Sequence, residues 1–166
     1  MSTRKITRDT VLLEEKNDIK IKEFDIPVGG FTIVSGPSGS GKSYFVKYEA
    51  THWGNKMGFP AILADFKSFG ILSPEGKIYP LQISEQHFEA FMEDLDRKVS
   101  RLHGDNILII LDEPSPFYET DTWKSFFHKY VYDNNITLII STQYPELLTE
   151  SDLEIEMGGI KVIGRN

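Results

Sequence analysis

The chain of 166 residues contains no cysteine, which rules out disulfides and thiolate metal sites from the start. Its four histidines, His52, His87, His103 and His128, follow no metal-ligand spacing and read as surface or packing residues. No apolar run approaches the roughly 18 residues of a transmembrane helix, and Met1 to Lys20 has no apolar core of the kind a signal peptide carries. The expectation is a soluble cytoplasmic protein without an integral membrane segment. Basic clusters are also scarce: the formal charge is −7, and from Asp112 to Glu156 the only lysines and arginines are Lys124 and Lys129. Coating a polyanion requires grouped Lys and Arg, so a broad nucleic-acid surface is not expected, and that acidic stretch reads as a solvated face. Internal repeats and low-complexity tracts are missing, and the length suits one domain, 1–166.

What is present is an alternation of short apolar runs with amphipathic ones. Arg4, Lys5 and Arg8 mark residues 1–17 as a polar arm, and Ile19 to Ile26 alternates as a half-buried strand does. Tyr44 to Trp53 has helical spacing with Phe45 and Tyr48 on one side, closed by Gly54. Ala61 to Ala64, ending at Asp65, is a continuous apolar run of the kind buried on both faces. Tyr79 to Ile83 predicts a strand, and Ser84 can cap a helix with Phe88, Phe91, Leu95, Val99 and Leu102 on one stripe, ended by Gly104. Ile107 to Leu111 is a further apolar strand. Thr120 or Asp121 can cap a helix whose Trp123, Phe126, Phe127 and Tyr130 fall at core spacing. Ile136 to Ile140 and Ile160 to Ile163 complete the set. Strands without polar alternation, separated by helices, predict an α/β fold with a mostly parallel sheet flanked by helices.

One segment carries specific chemistry. Phe31 to Ser35 leads into Gly36-Pro37-Ser38-Gly39-Ser40-Gly41-Lys42-Ser43, the full P-loop pattern between a strand and a helix. Glycines at 36, 39 and 41 allow consecutive backbone N–H groups to turn toward a polyphosphate, which the positive end of the following helix also attracts. ATP with Mg²⁺ is the expected ligand, with Lys42 on the β- and γ-phosphates and Ser43 on the metal.

The strand Ile107 to Leu111 delivers Asp112-Glu113, the form of a Walker B element. Asp112 is placed to hold Mg²⁺ with Ser43, and Glu113 to orient or deprotonate an attacking water. A carboxylate for water separates a hydrolase from a small-molecule kinase, which usually brings an arginine-rich lid that is not visible here. A further strand ends in Ser141-Thr142-Gln143, so Gln143 is the candidate γ-phosphate sensor or, alternatively, a polar loop residue.

With these pieces in order the chain resembles the FtsK/HerA superfamily of DNA-pumping ATPases, and most closely its small viral genome-packaging members. The residues that carry the resemblance are Gly36 to Ser43, Asp65-Phe66-Lys67, Asp112-Glu113 and Thr142-Gln143-Tyr144-Pro145. The resemblance implies a RecA-like (ASCE) domain with the sensor strand between the P-loop and Walker B strands. It implies a homo-oligomeric ring with ATP at subunit interfaces, double-stranded DNA as substrate, capsid or portal proteins as partners, and host cytoplasm or virion as location. Phe66 stands where the family often has proline. The family's arginine finger and basic pore loop have no firm counterpart, leaving Arg97, Lys98, Arg101 and Arg165 as candidates.

Two other readings stay open at this point. Ile26 to Ser43 and Leu111-Asp-Glu-Pro114 also resemble ABC ATPases, but Gln143 stands at the switch-histidine position, and no signature element lies between Lys42 and Asp112. A nucleotide-gated scaffold that binds ATP without turnover is the third, disfavoured by the retention of both Asp112 and Glu113.

Overall fold

The computed structural model describes residues 3–13, 26–67, 70–72, 78–80 and 85–163. These build one sheet of β1 (Arg4–Leu13), β2 (Phe31–Ser35), β3 (Ala61–Asp65), β4 (Gly70–Leu72), β5 (Ile78–Pro80), β6 (Ile107–Asp112), β7 (Ile136–Thr142) and β8 (Leu153–Ile163). Their spatial order is β1-β8-β2-β7-β6-β3-β4-β5. The first six in that order are parallel, and β4 and β5 continue the sheet as an antiparallel hairpin. The helices are α1 (Lys42–Tyr44), running through a π-helical stretch, Phe45–Ala50, into α2 (Thr51–Met57), then α3 (Glu85–Ser100) and α4 (Asp121–Val131). This is the RecA-like α/β arrangement, with β7 between the P-loop strand β2 and the Walker B strand β6.

Two apolar layers explain why the central strands lack polar alternation. Ile33, Ile62, Ala64, Ile109, Leu111, Leu138 and Ile140 face the layer with α3 and α4. Their neighbours Val34, Leu63, Leu108, Ile110 and Ile139 face Phe45, Val46 and Ala50 of the helix that follows the P-loop. Successive side chains point to opposite faces of a strand, so a strand covered on both sides must be apolar throughout. Burying each such side chain fully stabilises the fold by about 1.5–3 kcal/mol. In the α3/α4 layer, Phe66 meets Phe91 edge-on at 5.3 Å and Phe88 stacks on Phe117 at 4.0 Å. The helical aromatics are core, as their spacing indicated. Thr120 is the residue that caps α4, its side chain accepting from the Trp123 N–H.

The structure differs from the sequence expectations in several places. Arg4–Leu13, expected within a polar arm, forms an edge strand along β8. Ile6 packs on the P-loop-helix layer, and Arg8 is buried in an ion pair with Glu49 on the π-helical stretch. An arginine and a glutamate so far apart in sequence give no local sign that they will neutralise each other. Gly54 does not close its helix but lies inside α2. A Cβ there would fall 2.4 Å from Leu108 Cδ2, so the glycine permits close approach to β6, and Gly58, at φ 76°, makes the exit. Tyr48 is exposed while Phe45 is buried, because the π-helical turn rotates the two off a common face. The last strand begins at Leu153 rather than Ile160, and α3 ends at Ser100, ahead of Gly104. The strand expected around Tyr79 is the short antiparallel β5, and the expected strand before Ile26, the Ser84 cap and Arg165 lie outside the described residues.

Candidate nucleotide site

The carboxyl ends of β2, β6, β7 and β3 bring the candidate residues together. At Gly36 (φ 149°) a Cβ would lie 2.7 Å from Ser40 Oγ and 3.0 Å from the Met157 carbonyl, so a side chain would push the loop off the sheet. Gly39 (φ 80°) is exposed, and among the described residues nothing stands within 4 Å of where its Cβ would lie, so its left-handed backbone rather than crowding calls for glycine. Pro37 and Ser38 are exposed along that loop, Ser40 is buried with its hydroxyl lacking a hydrogen-bond partner among the described residues, and Gly41 precedes α1 in a left-handed conformation.

Lys42 is buried at 2 % exposure, and its Nζ donates to the Pro37 carbonyl at 3.0 Å. Glu113 Oε1 lies 3.9 Å from the same nitrogen. Burial pushes the Lys42 ammonium below its ordinary pKa and the nearby Lys67 charge adds to this, while Glu113 and Asp112 work in the other direction. Ser43 Oγ donates to Asp112 Oδ1 at 3.2 Å, and Ser141 Oγ donates to the same carboxylate oxygen. Asp112 is fully buried, and its Oδ2 has no hydrogen-bond partner among the described residues; Lys47 Nζ stands 3.8 Å away in an ion pair.

A buried carboxylate oxygen without a hydrogen-bond donor is costly unless a cation meets it, and here the Lys47 ammonium does so as an ion pair, beyond hydrogen-bond reach. The Asp112 carboxylate, with Oδ1 3.2 Å from the Ser43 hydroxyl, is the kind of oxygen set a hard divalent ion takes. The residues present therefore fit Mg²⁺.

Glu113 adopts φ 56°, which for a residue with a side chain costs on the order of 1–3 kcal/mol. Its N–H donates to the Ser141 carbonyl and its carboxylate accepts from Ser115 Oγ at 2.8 Å and from the Gln143 backbone N–H at 3.1 Å. The end of β7 thus holds the Glu113 side chain directly. Gln143 reaches Glu113 through its backbone, while its own side chain is exposed.

Arg97, Lys98 and Arg101 lie on or just beyond α3, in the layer across the sheet from the P-loop helix, and Arg97 and Lys98 both pair with Asp94. In this chain they stand apart from the P-loop.

Sequence reasoning missed two contributors. Lys47 bridges Asp65 at 2.7 Å and Asp112, and although burial opposes its charge, the Asp65 hydrogen bond and both carboxylates hold its pKa above the ordinary lysine value. Its position four residues after Ser43, one helical turn on, was the available signal. Ser141, at the end of β7, carries no motif of its own. In the acidic stretch Glu119, Asp121, Glu146, Glu150 and Asp152 are exposed, as a solvated face requires, and two further members are paired. Glu154 and Glu156 pair with Lys5 and, with Ser35 and Tyr144, line a cleft of about 660 Å³ against the start of the P-loop.

Among the described residues no helix is long and apolar enough to cross a membrane. No family model and no curated protein sequence matches the chain. Solved structures that align with the chain include two at low identity. Caenorhabditis elegans PCH-2 aligns over 78 % of this chain with 11 % identity and a TM-score of 0.48, and the match spans 35 % of PCH-2. B204, the DNA-packaging ATPase from Sulfolobus Turreted Icosahedral Virus, aligns over 73 % of this chain and 69 % of its own, with 17 % identity and a TM-score of 0.46.

Proposed function

We propose that this chain is a Mg²⁺-dependent ATPase that works as the subunit of a ring-shaped motor on double-stranded DNA. The observation that carries the ATPase reading is the meeting of Ser43, the buried Asp112 carboxylate and the buried Glu113 beside the P-loop lysine. The motor and its DNA substrate rest on the FtsK/HerA resemblance of Asp65-Phe66-Lys67 and Thr142-Gln143-Tyr144-Pro145.

In this reading the backbone N–H groups from Pro37's successor to Ser43 bind the polyphosphate, and Lys42 exchanges the Pro37 carbonyl for the β- and γ-phosphate oxygens. Ser43 and Asp112 would hold Mg²⁺, which would supply charge neutralisation for the polyphosphate. Glu113, oriented by Ser115 and by the Gln143 N–H, accepts a proton from the water that attacks the γ-phosphorus in line. Bringing the end of β7 and Glu113 into contact gives Gln143 a route for reporting the γ-phosphate to the base. An arginine from a neighbouring subunit completes the site.

The net charge of −7 leaves no broad basic surface and so few phosphate contacts, and DNA binding should weaken only shallowly with salt, each neutralised phosphate contributing a slope of about 0.9 in log affinity against log salt. The test is the ATPase rate of assembled protein with and without long duplex DNA at low salt. Stimulation is expected. Failure of DNA to bind or to change the rate would refute the DNA motor, and absence of any hydrolysis would leave the non-catalytic scaffold.

A further inference from the structure

Lys67 stands just beyond β3, across β6 from the P-loop's own side of the sheet, yet its Nζ donates to Ser43 Oγ at 3.0 Å. Its placement is built rather than incidental. The Lys67 N–H donates to Asp65 Oδ1 at 2.9 Å, and the Phe66 N–H donates to the Asp112 carbonyl at 3.0 Å. The Phe66 side chain is 2 % exposed, locked among Phe91, Trp123 and Phe117. The backbone of Asp65-Phe66-Lys67 is therefore fixed against the Walker B strand, while the Lys67 side chain is exposed and able to swing.

The two lysines near Asp65 are placed in different circumstances. Lys47 sits between Asp65 and Asp112, already neutralised. The Lys67 ammonium meets a neutral hydroxyl, and among the described residues no ion pair holds it. Its charge is also felt at Lys42. Lys42 already has Glu113 as a counter-charge at 3.9 Å, whereas the exposed Lys67 ammonium, held on the Ser43 hydroxyl, has none among the described residues and is the one left to meet an incoming anion.

We propose that Lys67 is a second catalytic lysine of this site, supplied from within the same chain, that leaves Ser43 to contact the γ-phosphate of bound ATP. This rests on the nucleotide reading above. A contact confined to the γ-phosphate distinguishes ATP from ADP, and it strengthens as charge develops on the transferring group. It also gives the site a cation that does not depend on ring assembly.

The experiment compares binding of ADP and of the β,γ-imido analogue of ATP, with Mg²⁺, to wild type, Lys67→Ala, Lys67→Gln and Lys67→Arg, with steady-state hydrolysis alongside. Loss of a charge-assisted hydrogen bond should weaken analogue binding about tenfold or more in Lys67→Ala and Lys67→Gln, leave ADP binding unchanged, and be largely restored in Lys67→Arg. Hydrolysis should follow the same ranking. If Lys67→Gln behaves as wild type, the side chain serves only as a hydrogen-bond donor to Ser43 and the proposal is overturned. Equal changes for both nucleotides, or none, overturn it too. Wild type that binds neither nucleotide would overturn the nucleotide reading itself, and the role of Lys67 with it.

Discussion

Replacing Glu113 by glutamine removes one charge and little else. The carboxylate accepts from Ser115 Oγ and from the Gln143 N–H, and a glutamine carbonyl can keep the second of these bonds. The new amide cannot take a proton from water, so a step that depends on general-base catalysis should slow by about 10²-fold or more, or about 2.7 kcal/mol in the barrier. Nucleotide binding should move the other way. Glu113 Oε1 lies 3.9 Å from Lys42 Nζ, with both side chains nearly buried. Opposite charges at that separation attract by about 4 kcal/mol at an effective dielectric constant of 20, and part of that attraction must be surrendered when Lys42 turns to phosphate. Recovering one third of it would tighten ATP binding about tenfold. Phosphate release under single-turnover conditions, with fluorescence titration of nucleotide, reads both quantities. Turnover within about threefold of wild type would show that Glu113 is not the base, and weaker nucleotide binding would refute the electrostatic argument.

Further outcomes follow from the same contacts. Lys42→Ala should abolish measurable nucleotide binding, since Lys42 is the buried cation on the loop; titration to saturation near the wild-type affinity would contradict this. Activity per subunit should rise with protein concentration, because an arginine supplied in trans is worth about 10³-fold or more; a constant rate from a monomer by light scattering would sink the shared site. Gly54→Ala should destabilise by about 1–3 kcal/mol through overpacking against Leu108, partly offset by better helix propensity. In a Leu108→Ala background the same change should stabilise, and urea denaturation of the four proteins checks the sign reversal. Arg8→Ala should cost about 3–5 kcal/mol, by stranding Glu49 among apolar residues of the P-loop helix, whereas an unchanged denaturation midpoint would show that the pair contributes nothing.

Much of this protein is legible in its sequence, because much of it is local. The P-loop is a single contiguous run whose glycines encode a backbone path, and the buried strands announce themselves as apolar runs too short for helices. The core stripes of α3 and α4 and the Thr120 cap follow from spacing along one element. Tertiary structure decided the rest, since the physics there involves partners distant in the chain. Arg4–Leu13 looks polar in isolation and becomes a strand only because β8 offers an edge and Glu49 offers a buried counter-charge. Gly54 looks like a helix stop until Leu108 is seen to press against it. Lys47 and Ser141 belong to no motif, and Lys67, though part of Asp65-Phe66-Lys67, shows no link to Ser43 in the sequence. They reach Asp112 and Ser43 because the sheet order sets β3, β6, β7 and β2 side by side with their carboxyl ends together, and a parallel sheet collects at one edge what the sequence spreads over more than a hundred residues.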